Sequence, residues 1–297
     1  MQRSGPQGRD GSSRPRGPEP ATRTVCELID ELNTWYPPSW AQPWDRVGLV
    51  LGEPSDRVRR VLCVVDVVPE TVAEAIEVGA ELIVAHHPLL LRGVSSVAAT
   101  TYKGRIVHRM IRAGMGLFVA HTNADVANPG VSDALATRLG LADLRPLRVA
   151  DGVAAGEGRG IGRVGDLPAP MRFADFVRSV GSALPGTPSG VRAAGDPERE
   201  IRTVAVCGGA GDEFLRDAAG ADAYLTADLR HHPASEHLAG GGPALLDATH
   251  WATERPWLDT VAGQLAQTGV ETVVSDLCTD PWNLRTDSAT TKEECHS

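Results

Sequence analysis

Three short clusters in this chain carry imidazole and carboxylate side chains at spacings that could share one site. His86 and His87 are adjacent before Pro88, His121 and Asp125 lie four residues apart, and His250 and Glu254 are again four apart. Imidazole nitrogens and carboxylate oxygens bind borderline divalent ions such as Zn, Fe, Mn, Co or Ni, and a catalytic site must hold the ion while leaving a position for water. His86, His87, Asp125, His250 and Glu254 suit two ions better than one, because a bridging carboxylate leaves open positions at each. Every one of them also has an ordinary reading. Asp125, ahead of Asn128-Pro129-Gly130, could start a turn, and Glu254 could cap a helix or face solvent. It is the joint pattern that argues for metal. His108 and His237, which stand alone, are read as packed or surface residues.

Elements that end at one place must position these clusters. Residues 82–85 form an apolar run that stops on the histidine pair, and 80–85 read as a buried strand with the pair at its rim. Neighbouring side chains on a regular strand point to opposite faces, so both imidazoles can converge only where the chain bends, and Pro88 favours a bend. Residues 116–120 read as a second strand, running directly into His121-Thr122-Asn123-Ala124-Asp125. Upstream, Val25, Leu28, Ile29 and Leu32 make one face of a helix capped by Thr24 and ended by Pro37 and Pro38. Residues 44–52 read as a loop and short strand, 60–65 as a strand, and 69–77, 104–113 and 131–139 as helices. From 145 to 200 the composition turns to Gly, Pro and Ala. This stretch is expected to be a connector of modest structure, with a strand near 161–164 and a helix near 173–180, since a bare loop of that length would be unusual.

The chain also echoes itself. Residues 201–207 repeat the character of 58–64, and each copy is expected to lead into a helix, then Gly-Ala-acid (79–81 and 220–222), then a strand. The first copy proceeds to His86-His87-Pro88 and the second, after Asp228, to His231-His232-Pro233; His121 and Asp125 are matched by His250 and Glu254. This predicts an α/β fold of two duplicated subdomains related by a pseudo-twofold, with the metal site between them. The expected bounds are a disordered tail at 1–22, a first half at 23–144, the connector at 145–200, a second half at 201–282 and a flexible tail at 283–297. The run Cys207-Gly208-Gly209-Ala210-Gly211 lacks the lysine of a P-loop and the spacing of a dinucleotide fingerprint, so it reads as a tight turn after a strand. Neither a serine elbow nor a Cys-His nucleophile pattern is present.

Composition narrows the class. A hydrophobic fraction of 42% over 297 residues is enough for a sizeable core. The net charge of −9 argues against direct nucleic-acid binding, without excluding a local basic patch. Five cysteines, odd in number and without a CxxC pair, fit a reduced, cytoplasmic chain. No apolar run has signal-peptide or membrane-spanning character.

From Trp44-Asp45 through His86-His87-Pro88-Leu89 and His121-Thr122-Asn123-Ala124-Asp125 to Asp228, His232 and His250 to Glu254, the chain resembles the GTP cyclohydrolase I type 2 homologue family, also called the NGG-interacting-factor-three-like proteins. The resemblance covers most of residues 24–280. It implies intertwined α/β subdomains, a dinuclear centre of two divalent ions held by His86, His87, Asp125, His250 and Glu254, and a ring-shaped homohexamer with its sites facing an internal cavity. It also implies a small-molecule substrate, GTP if the family name applies, attacked by metal-bound hydroxide. His121 and His232 would then orient ligands or shuttle protons. Thr226-Ala227-Asp228 departs from the family, which commonly has glycine before the aspartate, and His231 is an extra histidine. Two other functions stay open: a metal-binding scaffold or regulatory protein without turnover, and a dinuclear phosphoesterase.

Overall fold

The computed structural model describes residues 22–153 and 157–286. Most of the two stretches read above as tails, residues 1–21 and 287–297, lies outside the described residues, as does Cys295. The fold is mixed α/β, built on two sheets, with a third, two-stranded pairing between Arg23–Thr24 and Arg57–Val58.

The five-stranded sheet runs in the order Glu271–Val274, Arg60–Val64, Leu82–Ala85, Gly116–Val119, Gly48–Leu51, parallel except for the last. The strand Leu82–Ala85 is buried throughout, as a central parallel strand covered on both faces must be. Two helices cover one face. Val25–Trp35 starts in a capping box, with Thr24 Oγ1 accepting from the Glu27 amide at 3.2 Å and Glu27 Oε2 accepting from the Thr24 amide at 2.7 Å. Its partner, His250–Ala266, comes from the far end of the chain and buries Trp257, Leu258, Val261 and Leu265 against Val61, Cys63, Leu82 and Val84. The opposite face is closed by Pro69–Val78 and Tyr102–Arg112.

The six-stranded sheet runs Ala142–Val149, Gly160–Arg172, Glu200–Ala210, Ala223–Ala227, Ala244–Ala248, Arg192–Ala194. Its three central strands from Glu200 onward are parallel, so each sheet contains a parallel triplet in chain order, consistent with the internal echo. Residues 145–200 are built into this sheet, supplying most of its antiparallel half and the helix Phe173–Ala183. One element differs from expectation. Two 3-10 turns, Asp212–Phe214 and Asp217–Gly220, follow Glu200–Ala210 where a helix was predicted. Gly211 and Gly220 bound a segment too short for a helix that must also return the chain to the next strand.

A buried cation ties the six-stranded sheet to the turn and helix that follow Asp125. Arg163, 1% exposed, spans from Asp133 (Nε to Oδ1, 2.6 Å) to the Ala127 carbonyl (Nη2, 2.7 Å). The turn that follows Asp125 is thereby pinned to the strand Gly160–Arg172.

Candidate metal centre

The clusters collect at the carboxyl ends of the parallel strands, where open α/β sheets place their ligands. His86 and His87 follow Leu82–Ala85, His121 follows Gly116–Val119 by one residue, and His250 opens the helix after Ala244–Ala248. The strand stops at Ala85 and the backbone bends, so the His86 and His87 rings come to 4.9 Å between centroids. His121 and His250 lie 5.4 and 5.1 Å from His87.

Each of the four imidazoles is held at Nδ1 by an acceptor. His86 donates to the Ala120 carbonyl at 2.9 Å, His87 to Asp66 Oδ1 at 2.8 Å, His121 to Asp45 Oδ1 at 2.9 Å and His250 to Asp228 Oδ2 at 2.6 Å. A carbonyl or carboxylate can only accept, so Nδ1 carries the proton and Nε2 is left as the coordinating atom. This carboxylate–imidazole arrangement is what orients metal-ligating histidines. The Glu254 carboxylate lies 3.4 Å from His86 Nε2, 3.0 Å from His87 Nε2 and 3.1 Å from His250 Nε2. Asp125 Oδ1 approaches His86 Nε2 at 3.8 Å. Ligand atoms of His86, His87 and His121 lie within 4.8 Å of one another, as do those of His87, His250 and Glu254.

These residues fit a divalent metal centre. His86 Nε2 is buried with no hydrogen-bond partner, a state that is costly unless something else fills it, and the buried Glu254 Oε2 faces only the His87 Nε2 at 3.0 Å. The backbone makes room for the ligands. Gly209 has φ +67°, and a Cβ there would stand 2.4 Å from Glu254 Oε1 and 3.0 Å from His250 Nε2.

Without metal, protons balance the charge. Burial opposes a charged His87, but the Glu254 carboxylate and the Asp66 hydrogen bond outweigh it and push the pKa from 6.5 up to about 10. The Glu254 charge, with Asp228 behind it, raises His250 to about 11 against the effect of burial. Burial alone would raise Glu254, yet the three imidazoles hold it well below the carboxylate range. Burial raises Asp125. Metal binding must therefore displace protons. Because the unfolded imidazoles titrate near 6.5 and the folded ones near 10 and 11, metal-free protein should lose stability as pH rises through that window. Urea midpoints of chelator-treated protein check this; a midpoint that climbs between about pH 7 and about pH 10 would refute it.

The structure thus brings together His86, His87, His121, Asp125, His250 and Glu254. It does not bring His232. That side chain is exposed on the helix His231–Ala239 with its ring against His231, because Asp228, at φ 56°, takes the position at the strand end. Sequence reasoning assigned no role to Asp45, Asp66, Asp228 or Gly209. A usable signal was present: Asp66 and Asp228 each fall within two residues of a strand's carboxyl end. The centre opens on two cavities. One, of about 890 Å³, has His121, Asp125 and Glu254 on its wall; the other, of about 920 Å³, reaches His87 and Asp66, and His250 lines both.

Relatives match most of this chain. A Streptomyces coelicolor protein named GTP cyclohydrolase 1 type 2 homolog is 50% identical over 275 residues, covering 90% of this chain and 96% of the relative. A Mycobacterium tuberculosis protein of the same name is 38% identical over 368 residues, covering 88% and 97%. Among solved structures, a Staphylococcus aureus protein superposes with TM-score 0.79 at 27% identity over 88% of this chain and 99% of its own. A Bacillus cereus protein related to NIF3 gives 0.80 at 24% identity over 89% and 99%. The family described as Duf34/NIF3 (NGG1p interacting factor 3) matches residues 23–281, which takes in both sheets and every histidine of the cluster, and the chain belongs to that family.

Proposed function

We propose that this protein is a metal-dependent hydrolase acting on a purine nucleotide of the GTP class, with two divalent ions held by His86, His87, Asp125, His250 and Glu254. The observation that carries the reading is the buried His86 Nε2, without a hydrogen-bond partner and facing the buried Glu254 carboxylate at 3.4 Å, at the meeting point of four oriented imidazoles. A cluster serving only to stabilise the fold would satisfy that atom with a protein hydrogen bond. Bound there, divalent ions would act as Lewis acids and lower the pKa of a coordinated water.

The chain's own contribution is positioning and proton handling. Asp45, Asp66 and Asp228 fix the ring planes, and Glu254 reaches three imidazoles at once. His121 lines the cavity of about 890 Å³ with its Nδ1 already committed to Asp45, so its Nε2 is placed to accept or return a proton. A volume of that size accommodates a nucleotide, and Trp44, 55% exposed in its wall, offers a ring to a base, whereas Trp40 and Phe214 are covered by the Arg159 and Arg148 guanidiniums. The names borne by the Streptomyces and Mycobacterium relatives support the choice of GTP.

Electrostatics adds a condition. Asp125, Asp151, Asp212, Glu213 and Glu254 line the cavity, whereas its arginines, Arg148 and Arg159, are paired with Asp217 and Glu157. Bound divalent cations would offset this acidic wall and favour the entry of a triphosphate. Metal-loaded protein is therefore expected to bind and turn over GTP and metal-free protein to do neither, with turnover lost in His87→Ala and Glu254→Ala. Chromatographic analysis of products is the test. If loaded protein leaves GTP intact but cleaves a panel of phosphoesters, the phosphoesterase function replaces this one; if it turns over neither, the scaffold function does.

We propose as well that the chain works in the cytoplasm as a homohexamer, as the resemblance implies. Trp282 and Leu284, 69% and 89% exposed, offer apolar surface for such contacts, and no helix among the described residues is long and apolar enough to cross a membrane. Light scattering on the same preparation should give a hexamer's mass; a monomer's would refute the assembly.

A further inference from the structure

The three aspartates that orient imidazoles are not held equally. Asp45 is fixed by its surroundings: Oδ2 accepts from the Thr122 amide at 3.0 Å and from the Thr122 hydroxyl, and Oδ1 accepts from the Arg46 amide at 2.7 Å as well as from His121. Asp228 is set by its left-handed backbone, φ 56°. Asp66 has neither form of support. Its Oδ1 accepts from His87, and its Oδ2 accepts from the hydroxyl of Thr279, 213 residues later in the chain.

Thr279 lies in the segment that leaves the strand Glu271–Val274, and that segment is tied down on three sides. The Ser275 amide donates to the Cys63 carbonyl at 3.0 Å, the Ser275 hydroxyl to Glu74 Oε2 at 2.6 Å, and Arg255 Nη2 to Asp276 Oδ1 at 2.6 Å. Thr279, Asp280 and Pro281 then form part of the wall of the 920 Å³ cavity that reaches His87. The Asp66 side chain is 29% exposed. Without the hydroxyl, its carboxylate can turn toward water and release the His87 ring.

We propose that Thr279 is a positioning residue of the metal centre, holding Asp66 so that His87 presents Nε2 to an ion. This rests on the metal-binding reading above. It makes the site depend on the chain's C-terminal segment, although that segment supplies no ligand. Outer-shell partners of a ligating histidine typically change metal affinity 10- to 100-fold, and Thr279 acts one bond further out, so the effect should fall near the lower figure.

The test uses the full chain loaded with cobalt(II), comparing wild type, Thr279→Val, which keeps the shape and removes the hydroxyl, and Thr279→Ser, which keeps the hydroxyl. Affinities come from chelator competition and coordination from the visible absorption bands. Expected is about a tenfold loss for one of the two ions in Thr279→Val, with altered bands, the other ion unaffected, and recovery in Thr279→Ser. Wild-type affinities for both ions in Thr279→Val would overturn the proposal. So would an equal loss at both ions that serine fails to restore, which would mark a merely structural role. A wild type that takes up no cobalt would instead overturn the metal reading, and this inference with it.

Discussion

Glu254→Gln should empty the centre of both ions. The Glu254 carboxylate approaches the Nε2 atoms of His86, His87 and His250 at 3.4, 3.0 and 3.1 Å, and the other carboxylate of the cluster, Asp125, reaches only His86, at 3.8 Å. Glutamine keeps the length but removes the charge, and its amide can offer a metal one neutral oxygen in place of a bridging pair. Since even outer-shell changes cost 10- to 100-fold in metal affinity, loss of the shared ligand should cost at least about 100-fold at each ion. Asp125→Asn is the contrasting case, expected to weaken one ion and spare the other. Elemental analysis after gel filtration, with circular dichroism to establish folding, decides between them. Two tightly held ions in a folded Glu254→Gln protein would remove Glu254 from the bridging role.

The cluster was legible in the sequence where its side chains follow directly from strand ends. His86 and His87 stop an apolar run, His121 follows another, and His250 and Glu254 sit one helical turn apart; local pattern carries all of this. Partners joined only by the fold left no such trace. Asp66 and Thr279 meet because a strand from the end of the chain, Glu271–Val274, pairs with Arg60–Val64 near its beginning. The stretch 145–200 looked like a connector because Gly and Pro depress strand propensity. Yet in Gly160–Arg172 glycine serves close packing: a Cβ on Gly162, at φ +64°, would lie 2.9 Å from both the Leu147 side chain and the Val206 carbonyl. The repeat set His231 and His232 against His86 and His87, and the resemblance gave His232 a role at the site, but the fold puts Asp228 at that strand end instead.

Gly209 is where backbone and metal chemistry meet, and Gly209→Ala should disable the centre without touching a ligand. The strand Glu200–Ala210 shifts register between Val206 and Ala210, which turns the backbone of 208 and 209 toward the imidazoles. Gly209 is fastened there on both sides, its amide donating to Thr253 Oγ1 at 2.9 Å and its carbonyl accepting from Thr226 Oγ1 at 2.9 Å. The strand therefore cannot retreat to admit a methyl group. At φ +67° alanine costs about 1–2 kcal/mol. The larger consequence is steric, since a Cβ 2.4 Å from Glu254 Oε1 must push that carboxylate aside. A ligand displaced by about 1 Å can cost about 100-fold in function, so metal content and turnover should fall together while the protein still folds. Gly220→Ala is the control, because a Cβ there meets nothing within 4 Å; it should retain both ions. If Gly209→Ala also kept both at wild-type affinity, the carboxylate would have to be mobile, and Glu254 could not be the fixed bridge on which the proposed chemistry depends.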